Sequence, residues 1–124
     1  MKNALQFFKK ESLSNRAVEI CGFLGEKDGK LSYKIVQNKH SDPANYFAID
    51  PLDFLLFKRS FKMIAIFHSH LLGDSSASEF DKVNSENTTL PFLIFSIPEN
   101  AFSVYIPPNC EVEKNLIEKL ESSL

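Results

Sequence analysis

A chain of 124 residues and 14.1 kDa is the size of one domain, and its 44% hydrophobic content, with twelve Phe, is enough to bury roughly two thirds of the unfolded surface. Fourteen Lys and Arg against sixteen Asp and Glu give a net charge of −2, with no basic cluster longer than Lys9-Lys10, which excludes the electrostatic footprint of a nucleic-acid binder. Cys21 and Cys110 are too few for a disulfide framework and form no C-x-x-C pair, Met1 to Gln6 lacks the apolar core of a secretory signal, and no window reaches about 18 apolar residues, so a cytosolic protein that does not span a membrane is expected.

In chain order, Ala4 to Lys10 reads as a short amphipathic helix, and Val18 to Leu24 as a buried strand whose only charged residue is Glu19. Asp28-Gly29 predicts a hairpin turn into a second strand over Leu31 to Gln37. Asp50-Pro51-Leu52-Asp53 supplies an N-cap, a Pro at the first helical position and an acid in the first turn, so a helix is predicted over Pro51 to Ser60 with Leu52, Leu55 and Leu56 as its apolar face. Met63 to Phe67 is an uninterrupted apolar run, the pattern of a strand covered on both faces, and it ends at His68. Ser78-Glu79-Phe80-Asp81 has capping-box spacing and opens a short helix. Strands follow at Phe92 to Ile97 and Phe102 to Ile106, closed by Pro107-Pro108, and then Val112, Leu116, Ile117, Leu120 and Leu124 recur at helical spacing. Residues 1–124 therefore form one α/β domain, a mixed sheet flanked by helices.

The chemistry concentrates at His68-Ser69-His70. Residues i and i+2 of a strand project to the same side, so the two imidazoles leave a rigid element together. The Leu71 to Ala77 loop, turning at Gly73, is long enough to fold back and bring Asp81 alongside them. Two His and one carboxylate leave the fourth position of a tetrahedral zinc open, as in a catalytic rather than a structural site. Each residue also has a plainer reading: Ser78 and Asp81 as cap and capping-box partner, Ser69 as a small polar residue, His40 as solvated loop, Glu19 as an edge-strand residue facing water, and Cys21 as a small buried hydrophobe. No H-E-x-x-H, no H-x-E with P-C-x-x-C and no G-x-S-x-G elbow is present, and Leu72 stands where an H-x-H-x-D pattern needs its acid.

Glu19, His68-Ser69-His70 and Ser78-Glu79-Phe80-Asp81 together resemble the E…H-x-H-x7-S-x-x-D pattern of the JAMM (MPN+, Mov34/JAB) metalloprotease family, and Glu19-Ile20-Cys21-Gly22 is similar to the E-x-C-G segment of its compact prokaryotic and phage-tail members. The resemblance extends through Asn38 to Pro51 and Phe92 to Ile106, and implies a cytidine-deaminase-like α/β fold. It implies that His68, His70 and Asp81 hold Zn2+, that Glu19 is the general base, and that Ser78 donates a hydrogen bond to the oxyanion. The implied activity is hydrolysis of a peptide or isopeptide bond, with a protein or peptide substrate such as a ubiquitin-like or sulfur-carrier tail, a phage-tail component or a cell-wall peptide. A non-catalytic interaction scaffold, with Phe side chains exposed to a partner, is the alternative. Leu71 and Ala77 stand where the family usually has Pro, which removes two φ-fixing residues from the loop that must bring Asp81 to the histidines.

Overall fold

The computed structural model describes residues 1–124. Helix α1 (Lys2–Ser14) precedes the hairpin β1 (Cys21–Lys27) and β2 (Lys30–Val36); α2 (Pro51–Ser60), β3 (Lys62–His70), α3 (Glu79–Thr88), β4 (Phe92–Ser96), β5 (Ala101–Tyr105) and α4 (Lys114–Ser122) follow. The five strands form one sheet in the order β2-β1-β3-β4-β5. Only β3 and β4 run parallel, because the connection between them carries α3 and recrosses the sheet, whereas the other neighbours are antiparallel.

Both faces of the sheet are covered. On one, Ala4, Leu5 and Phe8 of α1 and Leu116 and Leu120 of α4 pack on Leu24, Ile64, Phe67, Leu93 and Phe95, with Phe8 stacked on Phe67 at 4.2 Å. On the other, Phe57 of α2 and Phe47 pack on Phe23, Met63, Ile66, Phe92 and Ile94. The apolar run of β3 supplies both cores because its side chains alternate. The alternation carries one phase correction: Leu24 pairs with Ala65 and Gly25 with Met63, so Ile64 has no partner on β1 and the strand bulges there. Beyond the bulge Ile66 faces the second core, and His68 follows it, its ring stacked on Phe47 at 4.3 Å.

The hairpin turn forms at Asp28-Gly29, where both residues have positive φ, 53° and 77°, the requirement of a type I′ turn. Gly22 is demanded by close approach: a Cβ there would lie 2.1 Å from the carbonyl oxygen of Lys34. Gly22→Ala must therefore push β2 off β1, and a loss of about 3 kcal/mol in urea-denaturation stability is expected, at the upper end of overpacking costs.

The expected mixed sheet flanked by helices is present, with five differences of detail. Helix α1 runs four residues past Lys10 and there tolerates a fully buried Ser12, whose hydroxyl is satisfied by the Phe8 carbonyl at 2.7 Å. Strand β1 starts at Cys21, not Val18, because Glu19 directs its main chain to a loop rather than to a ladder. Strand β3 runs through the histidines, since His70 still pairs with Ser96 of β4. Leu52, Leu55 and Leu56 do not dock α2; they are 58, 52 and 51% exposed. The helix instead rests on Phe57 and the half-buried Phe54, whose rings meet Phe23, because the aromatic side of a helix with two apolar arcs buries more surface. At the C-terminus only Leu116, Ile117 and Leu120 of α4 are buried, while Val112 precedes the helix and Leu124 follows it, half exposed. No helix is long and apolar enough to cross a membrane.

Candidate metal centre

Central strand β3 delivers the first two side chains. His68 is fully buried and His70 partly so, both on the face of the Phe47 core. Helix α3 delivers the third. Its N-cap Ser78 accepts the Asp81 N–H on Oγ at 3.1 Å, and the Asp81 carboxylate accepts the Ser78 N–H at 3.0 Å, a complete capping box. The cap does not exhaust Asp81: the same oxygen, Oδ2, lies 3.1 Å from His68 Nε2 and 2.9 Å from His70 Nε2, and the two Nε2 atoms are 3.2 Å apart. One carboxylate oxygen thus serves the cap and approaches both imidazoles.

Three donors at mutual distances of 2.9, 3.1 and 3.2 Å fit a metal ion. Bonds of 2.0–2.1 Å to the corners of a tetrahedron put those corners about 3.4 Å apart, and two imidazole nitrogens with one carboxylate oxygen are a donor set that suits zinc. The same three residues form the group whose ligand atoms all lie within 4.8 Å of one another. The tautomer of His70 agrees. His70 Nδ1 is 2.8 Å from the Asp74 carbonyl, which can only accept, so Nδ1 carries the proton and Nε2 is the nitrogen turned to the centre. His68 Nδ1 has no hydrogen-bond partner, and its ring is instead fixed by packing, stacked on Phe47 and edge-on to Phe92 at 5.5 Å.

Electrostatics follow from this packing. Burial alone would raise Asp81, yet the hydrogen bonds from His68, His70 and the Ser78 N–H outweigh it and hold the carboxyl well below the usual range. Burial pushes His68 down and keeps it neutral, the form that ligates metals. At His70 burial is overcome by Asp81 and the Asp74 carbonyl, and the group moves up.

Glu19 is 6% exposed, so the water-facing reading of this residue is overturned. It lines one cleft of about 300 Å³ with Asn45, His70, Leu72, Asp74 and Ser78. Burial pushes its carboxyl up to about 8; His70 pulls it down, and Asp81 and Asp42 add to the rise. Its main chain lies outside the sheet. The Glu19 N–H donates to the Pro43 carbonyl at 2.7 Å, and its own carbonyl accepts from Asn38 Nδ2 at 2.8 Å. One residue on, Ser69 grips Ile20 from both sides, donating its N–H to the Ile20 carbonyl and accepting the Ile20 N–H on Oγ, each at 3.0 Å. The serine between the histidines thus couples the Glu19 segment to the strand of His68 and His70, a role not visible in its spacing.

Asn38, at the head of the Asn38 to Pro51 stretch, holds this region together. It donates to Glu19 and Tyr46 carbonyls and accepts the N–H groups of His40 and Ala48 at 3.0 Å, tying down the segment that walls the cleft. Its only mark in the sequence is its place at the head of a polar, Pro-containing stretch. His40 lies in a loop as expected but is only half-exposed: its Nδ1 accepts the Asp42 N–H, and its ring packs on Tyr46 and Phe80 at 5.0 and 5.8 Å. Cys21 is buried and its thiol is pushed up to about 12 by that burial, so it is an inert core residue; Cys110 is also free.

The fold and this centre place the chain among domains of known shape. It has the JAB/MPN fold: a JAB1/MPN domain protein of Archaeoglobus fulgidus superposes with a TM-score of 0.58 over 90% of this chain and 92% of that one, at 21% identity. A solution structure from Desulfitobacterium hafniense superposes with a TM-score of 0.62 over 94% of this chain and 95% of that one, at 20% identity. In sequence, the tail tip assembly protein K of Escherichia phage N15 is 32% identical over 81 residues, 65% of this chain; the match spans about a third of that protein's length, 33%. No family model matches.

Proposed function

We propose that this protein is a JAMM-type zinc metallopeptidase or isopeptidase. One observation carries the reading: Nε2 of His68, Nε2 of His70 and Oδ2 of Asp81 converge within 3.2 Å of one another beside a cleft that Glu19 and Ser78 also line. His68, His70 and Asp81 would hold the ion. Zinc held in this way supplies a Lewis acid that polarises an amide carbonyl and acidifies water to a pKa of about 7. The Glu19 carboxyl, raised by burial in the metal-free protein and drawn back to the carboxylate by the positive charge of a bound ion, would take the proton of the attacking water and hand it to the leaving amine. Ser78 Oγ already accepts the Asp81 N–H, which leaves its hydroxyl proton to donate to the developing oxyanion.

The 32% identity to a tail tip assembly protein favours a peptide of phage tail assembly over a ubiquitin-like tail as substrate. The exposed stripe Leu52, Leu55 and Leu56 is the one feature that favours a scaffold instead; the Phe side chains suggested for that role are buried or half-buried. Metal analysis of protein purified without chelators tests the primary reading, with about one zinc per chain expected. No zinc after its addition, together with a stable protein complex and no Glu19-dependent turnover, would establish the scaffold.

A further inference from the structure

The loop that joins ligand His70 to ligand Asp81 has Leu71 and Ala77 where Pro would stiffen it, and its turn at Gly73 sits at φ +74° with nothing within 4 Å of a built Cβ. Neither proline nor packing around Gly73 holds it. Three successive carbonyls of the loop are held instead, each by a side chain, and each side chain comes from a different strand. Ser96 Oγ of β4 donates to the Gly73 carbonyl at 2.7 Å, His70 Nδ1 of β3 donates to the Asp74 carbonyl at 2.8 Å, and Ser103 Oγ of β5 donates to the Ser75 carbonyl. The strands are neighbours in the sheet, and Ser96 pairs directly with His70. Ser96 is fully buried, and its Oγ also accepts the Glu99 N–H at 3.2 Å, so its single proton is committed to Gly73.

The central bond of the three orients the His70 ring, and the outer two, together with the turn in which Asp74 Oδ1 accepts the Ser76 N–H at 3.0 Å, set where its acceptor sits. We propose that Ser96 and Ser103 are positioning residues for His70: by fixing Gly73 and Ser75 they hold the Asp74 carbonyl in place, and through it they aim Nε2 at the metal centre. The inference rests on the reading of His68, His70 and Asp81 as metal ligands. Hydrogen-bond partners of ligating imidazoles commonly influence metal affinity by about ten- to a hundredfold, and residues that set the partner act through the same geometry.

The test is the zinc dissociation constant of the full chain, measured by competition with a chromogenic chelator, for the parent, Ser96→Ala, Ser103→Ala and Ser12→Ala. Ser12 makes the same kind of buried bond, Oγ to the Phe8 carbonyl at 2.7 Å, but in α1, away from the centre. Ser96→Ala and Ser103→Ala are each expected to weaken zinc by about tenfold, while Ser12→Ala lowers the melting temperature and leaves zinc affinity at the parental value. Ser103→Thr, which keeps the hydroxyl at a half-buried position, should restore affinity. Should Ser96→Ala fail to fold, Ser103→Ala decides. Parental zinc affinity in the serine variants that fold overturns the positioning role and leaves the metal reading intact, whereas a parent that takes up no zinc overturns both.

Discussion

Glu19→Gln is expected to abolish hydrolysis, keep zinc, and stabilise the metal-free protein at pH 8. Removal of a general base typically costs about a hundred- to ten-thousandfold in turnover, and Glu19 is outside the ligand set, so metal content should stay near one per chain. The stability effect follows from the raised carboxyl. The folded protein keeps the Glu19 proton up to about pH 8, whereas the unfolded chain releases it near the ordinary value of 4.5. Between those values the native state binds more protons, so its stability falls as pH rises through the window. At about 1.36 kcal/mol per unit, the whole fall is at most roughly 5 kcal/mol, and Gln removes it. His68, held neutral by burial, has the opposite slope below its ordinary value, but parent and variant share that term and it cancels in the comparison. Urea denaturation in the presence of chelator at pH 5 and pH 8 measures the difference. Superimposable pH profiles, or hydrolysis at the parental rate, would remove Glu19 from the role assigned to it.

Asp81→Ala should lose both metal and helix start. The carboxylate oxygen that meets both imidazoles also accepts the Ser78 N–H, so one substitution takes away a ligand and half of the capping box. Zinc per chain should fall from about one to a small fraction, and the lost cap should cost about 1 kcal/mol. Ser78→Ala separates the two effects. It removes the cap at a similar cost but leaves His68, His70 and Asp81 in place, so zinc should be retained while turnover drops on the order of a hundredfold for want of the oxyanion donor. Elemental analysis paired with thermal melts of both variants checks this; a zinc-replete Asp81→Ala protein would exclude Asp81 as a ligand.

Where local rules decide, the chain was legible. Asp50-Pro51 starts α2 and Ser78 caps α3 where their spacing places them, and Asp28-Gly29 makes the hairpin turn, because caps and turns are satisfied within a few residues. Helix α2 shows the limit. Periodicity identifies an apolar arc at Leu52, Leu55 and Leu56, but Phe54 and Phe57 form a competing arc, and only the position of Phe23 on the sheet selects between them.

Legible from neighbouring residues alone are the alternation that sends His68 and His70 to one side of a strand and the capping box that starts α3 after Ser78 and sets Asp81 in its first turn. Tertiary structure alone decided that Glu19 is buried, that Ser69 and Asn38 hold its segment, and that Ser96 and Ser103 pin the loop in place of proline. The physical reason is range. Strand alternation and helix capping are set by neighbours two to four residues apart, whereas Ser69 reaches Ile20 and Ser96 reaches Gly73 across separations of 49 and 23 residues, which exist only once the sheet has brought distant segments together.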